Sequence, residues 1–329
     1  MLLTVLLLLV VVVIVGLTVW GYQVWKPLPT LPPPGGTITV GEHQHLHVTE
    51  LPGEAPPVVF IHGLPGSIRD WDAVQPLLAD RHRIAIDRPG FADTGGSAMT
   101  MREQADVIAE GLRALSVRRA LLVGHSYGGT VALTIARRHP ELVGGIVLGA
   151  PMGGGRSMPL AMRNEARALL LVTLPGIGDV LRRTVGWGIT KLVVRNAFTR
   201  AFDPSPVSAS YTAYAYAQTL RVDTLRSLYA NRIDFNRDFG WLDRHLDEVQ
   251  VPVGIVRAMD DAMVGSWSAV GLRDYLPNVV SFQECDGGHM IPITRPETIA
   301  ESITAVTAAM IERDGGRPPR ADDDGPSGA

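Results

Sequence analysis

The chain is predicted to fold as an α/β domain: a mostly parallel twisted sheet with helices on both faces, a helical cap inserted into it, and an apolar helix ahead of it. Three observations predict this. Short apolar runs alternate with stretches of helical spacing on both sides of residues 152–246. Within those residues the alternation stops and helical spacing takes over. One run, Leu121-Leu122-Val123, breaks into Gly124-His125-Ser126-Tyr127-Gly128-Gly129 before a helical stretch, so a strand, a sharp turn and a helix meet with a serine at the apex.

Residues 2–20 are almost wholly apolar and carry no charge. As a helix they would span about 28 Å, close to the hydrocarbon thickness of a bilayer. Trp20, Tyr22 and Trp25 follow where an aromatic belt would lie, and Lys26 sits just beyond. The run exceeds a signal-peptide core, lacks a basic leader and is followed by no Ala-x-Ala site, so residues 1–25 are read as an uncleaved single-span anchor. The charges flanking it nearly cancel, so they assign no side of the membrane to the rest of the chain. Residues 26–36 are rich in proline and form a semi-rigid linker.

Residues 37–151 hold the first part of the core. Residues 37–40 and 45–49 are predicted as two strands of a hairpin joined at Gly41-Glu42. His43, His45 and His47 alternate along it and are expected at solvated positions, since no cysteine or carboxylate cluster accompanies them. Val58-Val59-Phe60-Ile61 is continuous apolar sequence, as in a strand buried on both faces. It ends in His62-Gly63-Leu64-Pro65-Gly66. Residues 83–87 form a further strand, 101–115 a helix, and 142–148 the strand after the serine turn and its helix. The cap, residues 152–246, shows its clearest helical spacing at 161–172, 178–198 and 208–229. The core resumes over 247–312, with strands at 253–256 and 279–282 and helices at 266–275 and 296–311. Residues 313–329 are mostly glycine, proline, arginine and aspartate, and are expected to be disordered.

Composition narrows the function. With 46% hydrophobic residues among 329, a large core is affordable by area alone, and global disorder is excluded. A net charge of −3 gives no electrostatic case for nucleic acid. Lysine occurs only at Lys26 and Lys191. Cys285 is the sole cysteine, so no internal disulfide forms. Oligomeric state leaves no mark on the pattern.

A serine hydroxyl becomes a useful nucleophile only when a base within hydrogen-bond reach takes its proton, and that base needs a carboxylate to orient it. In a parallel sheet, groups able to meet Ser126 lie on loops after later strands at the same edge. Asp260-Asp261 follows the 253–256 strand, and His289 follows the 279–282 strand. His289 is therefore the candidate base. Asp286 shares the short loop of His289 and could hardly reach its far ring nitrogen.

On these residues the chain resembles the α/β-hydrolase fold family, and within it the cap-bearing serine hydrolases. The resemblance covers residues 37–312 and rests on His62-Gly63-Leu64-Pro65-Gly66, Asp87-Arg88-Pro89-Gly90-Phe91, the Ser126 turn, Asp261 and Gly288-His289. It implies Ser126 as nucleophile, His289 as general base and Asp261 as the orienting carboxylate. It also implies the Leu64 and Tyr127 backbone N–H groups as an oxyanion hole. Ala258 and Ala92 stand where the family often has glycine, and the adjacent Asp260 keeps a second candidate acid beside Asp261. The activity implied is cleavage of carboxylic esters, with an apolar acyl portion favoured, through an acyl-enzyme and without metal or organic cofactor. Hydrolysis of C–C bonds, perhydrolysis and acyl transfer use the same three residues and stay open, as does a non-catalytic binding module. Epoxide hydrolases and haloalkane dehalogenases of this fold need an aspartate where this chain has Ser126. Tyr211, Tyr214 and Tyr216 are therefore read as cap packing or pocket residues.

Overall fold

A computed structural model of the chain describes residues 2–24, 33–42, 44–154, 173–176, 178, 187–265 and 267–315. Eight strands form one sheet: β1 (Gly36–Val40), β2 (Gln44–Leu51), β3 (Glu54–Ile61), β4 (Arg81–Ile86), β5 (Ala120–His125), β6 (Val143–Gly149), β7 (Val253–Ala258) and β8 (Val279–Cys285). Their order is β1-β2-β4-β3-β5-β6-β7-β8. The β1–β2 hairpin joins β4 antiparallel, and every pair from β4 to β8 is parallel. The C-terminal ends of β3 to β8 therefore share one edge.

Alternation along the central strands loads both faces. Val59 and Ile61 of β3, Leu122 of β5, and Ile146 and Leu148 of β6 face one core, shared with helices α2 (Met101–Ala114) and α3 (Tyr127–Arg138). Val58 and Phe60, Leu121 and Val123, and Val147 face the other, built with Trp71 and with helix α8 (Pro296–Arg313). Side chains of this size contribute about 1.5–3 kcal/mol each when fully buried, and a strand carrying them on both faces has no stable place at a wet surface. Thr100 starts α2 with a capping box: its hydroxyl accepts from the Glu103 N–H while the Glu103 carboxylate accepts from the Thr100 N–H.

Between β6 and β7 lie the cap helices α4 (Trp187–Phe202), α5 (Ala209–Thr219) and α6 (Val222–Asp243). The expected continuous helix over 208–229 is in fact two. The chain turns at Arg221, extended at φ −64° and ψ 142°, and Asp223 begins the next helix in its first turn. No glycine or proline marks the break, so periodicity alone ran through it. The expected helix over 161–172 lies outside the described residues, as do most of the linker and nearly all of the tail. Helix α7 (Trp267–Tyr275) connects β7 to β8.

Two further expectations change. His47 is not solvated: it is buried, and its Nδ1 lies 2.8 Å from Asp87 Oδ2. His45 is exposed, and His43 is outside the described residues. At the N-terminus, helix α1 (Leu2–Val24) forms as expected, but the membrane span is not supported. Among the described residues no helix is long and apolar enough to cross a membrane. Side chains in α1 are described over residues 4–20, and most of them, from Val5 through Ile14 to Trp20, are exposed.

Candidate active site

The turn after β5 is built by what its glycines lack. A Cβ on Gly124 would collide with the Gly129 backbone, and one on Gly128 with the Ile61 carbonyl. Only bare backbone lets β5, the turn and α3 pass this closely. Ser126 at the apex sits at φ 53° and ψ −121°, where L-residues are strained. Its N–H donates to the Gly149 carbonyl on β6 at 2.9 Å, which holds the strained residue in place.

Two parallel neighbours, β7 and β8, bring the other candidates together. Asp261 follows β7 and His289 follows β8, and His289 Nδ1 lies 2.7 Å from Asp261 Oδ2. Asp261 Oδ1 accepts the Met263 and Val264 N–H groups, each at 2.8 Å. Burial alone would raise this carboxyl's pKa, but the imidazole and the two N–H donors outweigh it and hold the pKa below the ordinary value. With its Nδ1–H given to Asp261, the imidazole keeps a lone pair on Nε2, the tautomer a base requires. The neighbouring Asp260 points elsewhere, and its Oδ2 accepts the Gly287 N–H at 3.0 Å. Of the two adjacent acids, Asp261 is the one that meets the imidazole.

The same edge draws His289 toward the serine turn. His125, next to Ser126, packs its ring 4.8 Å from that of His289 with the two planes tilted by 48°, and donates from Nε2 to the His289 carbonyl at 2.8 Å. Burial first, then the neighbouring His289, drives the His125 pKa down to about 3, so it is a neutral donor. Among the described residues no hydrogen bond joins the Ser126 hydroxyl to His289. Such catalytic bonds are commonly long in unliganded sites and tighten on substrate.

Leu64 and Tyr127 belong to the two segments that adjoin Ser126. A Cβ on Gly63 would lie 3.2 Å from the Ser126 Cβ, so the loop after β3 rests against the serine. Neither the Leu64 nor the Tyr127 N–H has a partner among the described residues, and Tyr127 opens α3, where the helix dipole favours negative charge. Arg88 fixes that loop from beneath. It is fully buried, donates to the Gly63 carbonyl at 2.7 Å and to Gln104 at 2.6 Å, and lies over the Phe91 and Tyr127 rings. Burial brings its pKa down to about 10. The sequence names His125 and Arg88 only as members of their motifs and gives neither a role, because the partners that define one are not adjacent along the chain.

A second group of polar residues fastens the cap to the core. Tyr211, Tyr214, Gln218 and Arg221 follow one another at helical spacing. Tyr211 Oη donates to Asp70 at 3.1 Å; Tyr214, Gln218 and Arg221 reach Asp93 at 3.4, 3.3 and 3.3 Å. Asp87 ties the two acceptor loops together by accepting the Ile68 and Asp93 N–H groups. His47, Asp87 and Asp93 place their potential ligand atoms within 4.8 Å of one another, and these hydrogen bonds already engage them. The bond to Asp87 raises the His47 pKa.

With this geometry in place, comparison with known proteins is specific about the family. A family model described as the alpha/beta hydrolase family matches residues 58–302. An uncharacterised hydrolase of Bacillus subtilis is 26% identical over 250 residues, covering 75% of this chain and 88% of that one. A thermophilic esterase from Thermogutta terrifontis superposes with a TM-score of 0.66 at 20% identity, over 84% of this chain and 98% of the other. An epoxide hydrolase superposes as well, with a TM-score of 0.67 at 19% identity over 84% and 98%. The fold thus hosts more than one reaction, and the choice among them lies with the residues at the sheet edge.

Asp70 provides a test of the cap contact. Burial pushes its carboxyl up from 3.8 to about 7, against the Tyr211 hydroxyl and the Ser67 N–H. The folded state therefore holds this proton more tightly than the unfolded chain. The stability that proton contributes is fully present below about pH 4 and is lost as pH rises toward 7. Asp70→Asn has no such proton to lose. The Tm difference, variant minus wild type, is expected to rise as pH goes from 4.5 to 7.5; a constant or falling difference contradicts the assignment.

Proposed function

We propose that this chain, which belongs to the α/β hydrolase family, is a serine hydrolase that cleaves carboxylic esters through an acyl-enzyme. The observation that carries the reading is the His289–Asp261 hydrogen bond formed at the edge where Ser126 stands on its strained turn. Ser126 Oγ attacks the ester carbonyl carbon as His289 Nε2 takes its proton. The developing oxyanion is received by the Leu64 and Tyr127 N–H groups, preorganised donors of the kind that contribute most to such reactions. His289 then returns the proton to the departing alcohol. A water activated by the same nitrogen attacks the acyl carbon and frees the acid and Ser126. Asp261 keeps the imidazole in the required tautomer and stabilises the imidazolium formed in each half.

The acyl portion is apolar in this reading. What supports it is the apolar character of the cap where it packs beside His289: Phe202, Ala201 and Met290 form one buried cluster, with Phe198, Tyr211 and Met263 against it, and the Met290 N–H donates to the Ala201 carbonyl at 3.1 Å. Labelling with a fluorophosphonate tests the nucleophile. Wild type is expected to be modified at Ser126 and Ser126→Ala to be unmodified; equal labelling of the two removes Ser126 from its role. Along a series of p-nitrophenyl esters from acetate to hexanoate, kcat/KM is expected to rise by more than about tenfold, since a fully buried methylene contributes about 0.8 kcal/mol. A flat or falling series removes the apolar acyl site.

The proposal places the enzyme at a membrane surface through α1, on the side chains of residues 5–15 that are apolar and exposed. Full-length protein is expected to float with phosphatidylcholine vesicles, and the double variant Leu8→Asp, Val12→Asp to stay behind. A charged carboxylate on the face that meets the lipid opposes that contact. Flotation of both, or of neither, contradicts the anchor.

A further inference from the structure

A fully buried cation, Arg88, takes no part in the steps above. Among the described residues no carboxylate forms an ion pair with it, and Asp70 acts on its charge only through space. A charge sealed from water without a counter-ion is unfavourable, and a neutral side chain would pack there without that penalty. The lowered pKa, about 10, still leaves the guanidinium protonated at neutral pH.

What the charge touches gives it a use. Arg88 Nη2 donates to the Gly63 carbonyl at 2.7 Å, and that carbonyl is one end of the peptide unit whose other end is the Leu64 N–H. This peptide is trans, so its C=O and N–H point in opposite directions. His62 occupies the second lone pair of the same oxygen, with Nδ1 at 2.9 Å. The His62 Nε2 accepts the Arg88 backbone N–H at 2.9 Å, so the ring proton sits on Nδ1 and Nδ1 donates. Burial, with Arg88 alongside, keeps the His62 pKa well below 6.5 and the ring neutral. Two donors, one of them charged, thus hold a single oxygen. A carbonyl polarised in this way makes the N–H of its own amide a stronger donor.

The other arm of the guanidinium ties this peptide to the cap. Arg88 Nη1 donates to Gln104 Oε1 at 2.6 Å. Arginine can only donate, so the Gln104 amide nitrogen faces the other way, donating to the Met99 carbonyl at 3.0 Å and to Asn231 Oδ1 at 3.1 Å. Asn231, on α6, donates in turn to the Met99 carbonyl at 2.7 Å. All three side chains are fully buried. The guanidinium carbon also lies 5.0 Å from the ring centroid of Tyr127, whose backbone supplies the second oxyanion donor. One side chain therefore bonds the peptide of one donor and packs on the residue of the other.

We propose that Arg88 is a positioning residue of the oxyanion hole, which aims the Leu64 N–H and sets a positive charge behind it. The inference rests on the ester-cleaving reading, in which Leu64 and Tyr127 receive the oxyanion. One peptide unit with a hydrogen bond at each end separates the guanidinium from that oxygen by about 7–8 Å. Over such a span, away from water, a unit charge acts on the anionic transition state far more than on the neutral ester. Its effect belongs to kcat and leaves KM nearly untouched.

The test measures kcat and KM for p-nitrophenyl butanoate in wild type, Arg88→Met, Arg88→Lys and Gln104→Glu, with near-ultraviolet circular dichroism reporting the fold of each. Both halves of the reaction pass through an oxyanion, so a loss registers whichever half is slower. Arg88→Met removes charge and donors, and its kcat is expected to fall at least about tenfold, less than when a donor itself is deleted. Its KM is expected to stay within about threefold. Arg88→Lys returns the charge and is expected to regain part of the lost kcat. Where Arg88→Met does not fold, Gln104→Glu carries the comparison. It sets a carboxylate against Nη1, neutralising the charge while the bond to Gly63 stays, and kcat is expected to fall at least about threefold. A folded Arg88→Met with wild-type kcat, or a loss carried by KM alone, overturns the role of Arg88 and leaves ester cleavage standing. A lysine variant no better than methionine, or a folded Gln104→Glu with unchanged kcat, does the same. Absence of both ester cleavage and fluorophosphonate labelling in wild type overturns the ester reading and the role of Arg88 with it.

Discussion

The 2.7 Å hydrogen bond from His289 to Asp261 joins two loops that the sheet must first set side by side. Its two partners lie 28 residues apart, and they meet because β7 and β8 pair in parallel and end at the same edge. Parallel pairing in turn requires crossover helices on the faces and apolar strands between them. The double-faced cores around β3, β5 and β6 are thus the precondition for the bond. Asp261 is held from the other side by two backbone donors, so its direction is set before any substrate arrives.

Around that pair the molecule spends polar groups on position. His125 holds the carbonyl of His289, Arg88 holds the carbonyl of Gly63, and Gly149 holds the N–H of Ser126. Each links one loop of the sheet edge to another, so displacement of one loop is resisted by its neighbours. The cap is fixed by the same means, through Asp70 and Asp93 as acceptors for residues of α5 and the turn after it. A carboxylate sealed beneath a cap is a costly anchor, because burial disfavours its charge. That cost makes the contact sensitive to pH, whereas an apolar contact in its place would not respond.

Much of the framework was legible in the chain. Val58-Val59-Phe60-Ile61 and Leu121-Leu122-Val123 announce buried strands because no other element tolerates such runs at that length, and the glycines about Ser126 announce the turn by what they exclude sterically. Asp261 was ranked over Asp260 by alignment with a family pattern, and the geometry shows why the neighbours differ: one accepts from His289, the other from Gly287. Contacts between distant residues were not legible. His47 looked like one of three solvated histidines, since nothing near it in sequence reveals Asp87, 40 residues away. His125 reaches a carbonyl 164 residues on, and the Tyr211–Asp70 bond spans 141. The break at Arg221 leaves no mark in the sequence because neither side of it departs from helical spacing.

The central claim is that Asp261, and not the acid beside it, orients the imidazole that activates Ser126. The most direct measurement is the rate of covalent labelling by a fluorophosphonate in Asp261→Asn and in Asp260→Asn at neutral pH. The account expects Asp261→Asn to react slower than wild type by about ten-thousandfold, the loss seen when the orienting acid of such a triad is replaced by its amide. Asp260→Asn is expected to stay within a few-fold of wild type. Equal rates in the two variants, or the larger loss in Asp260→Asn, would contradict it.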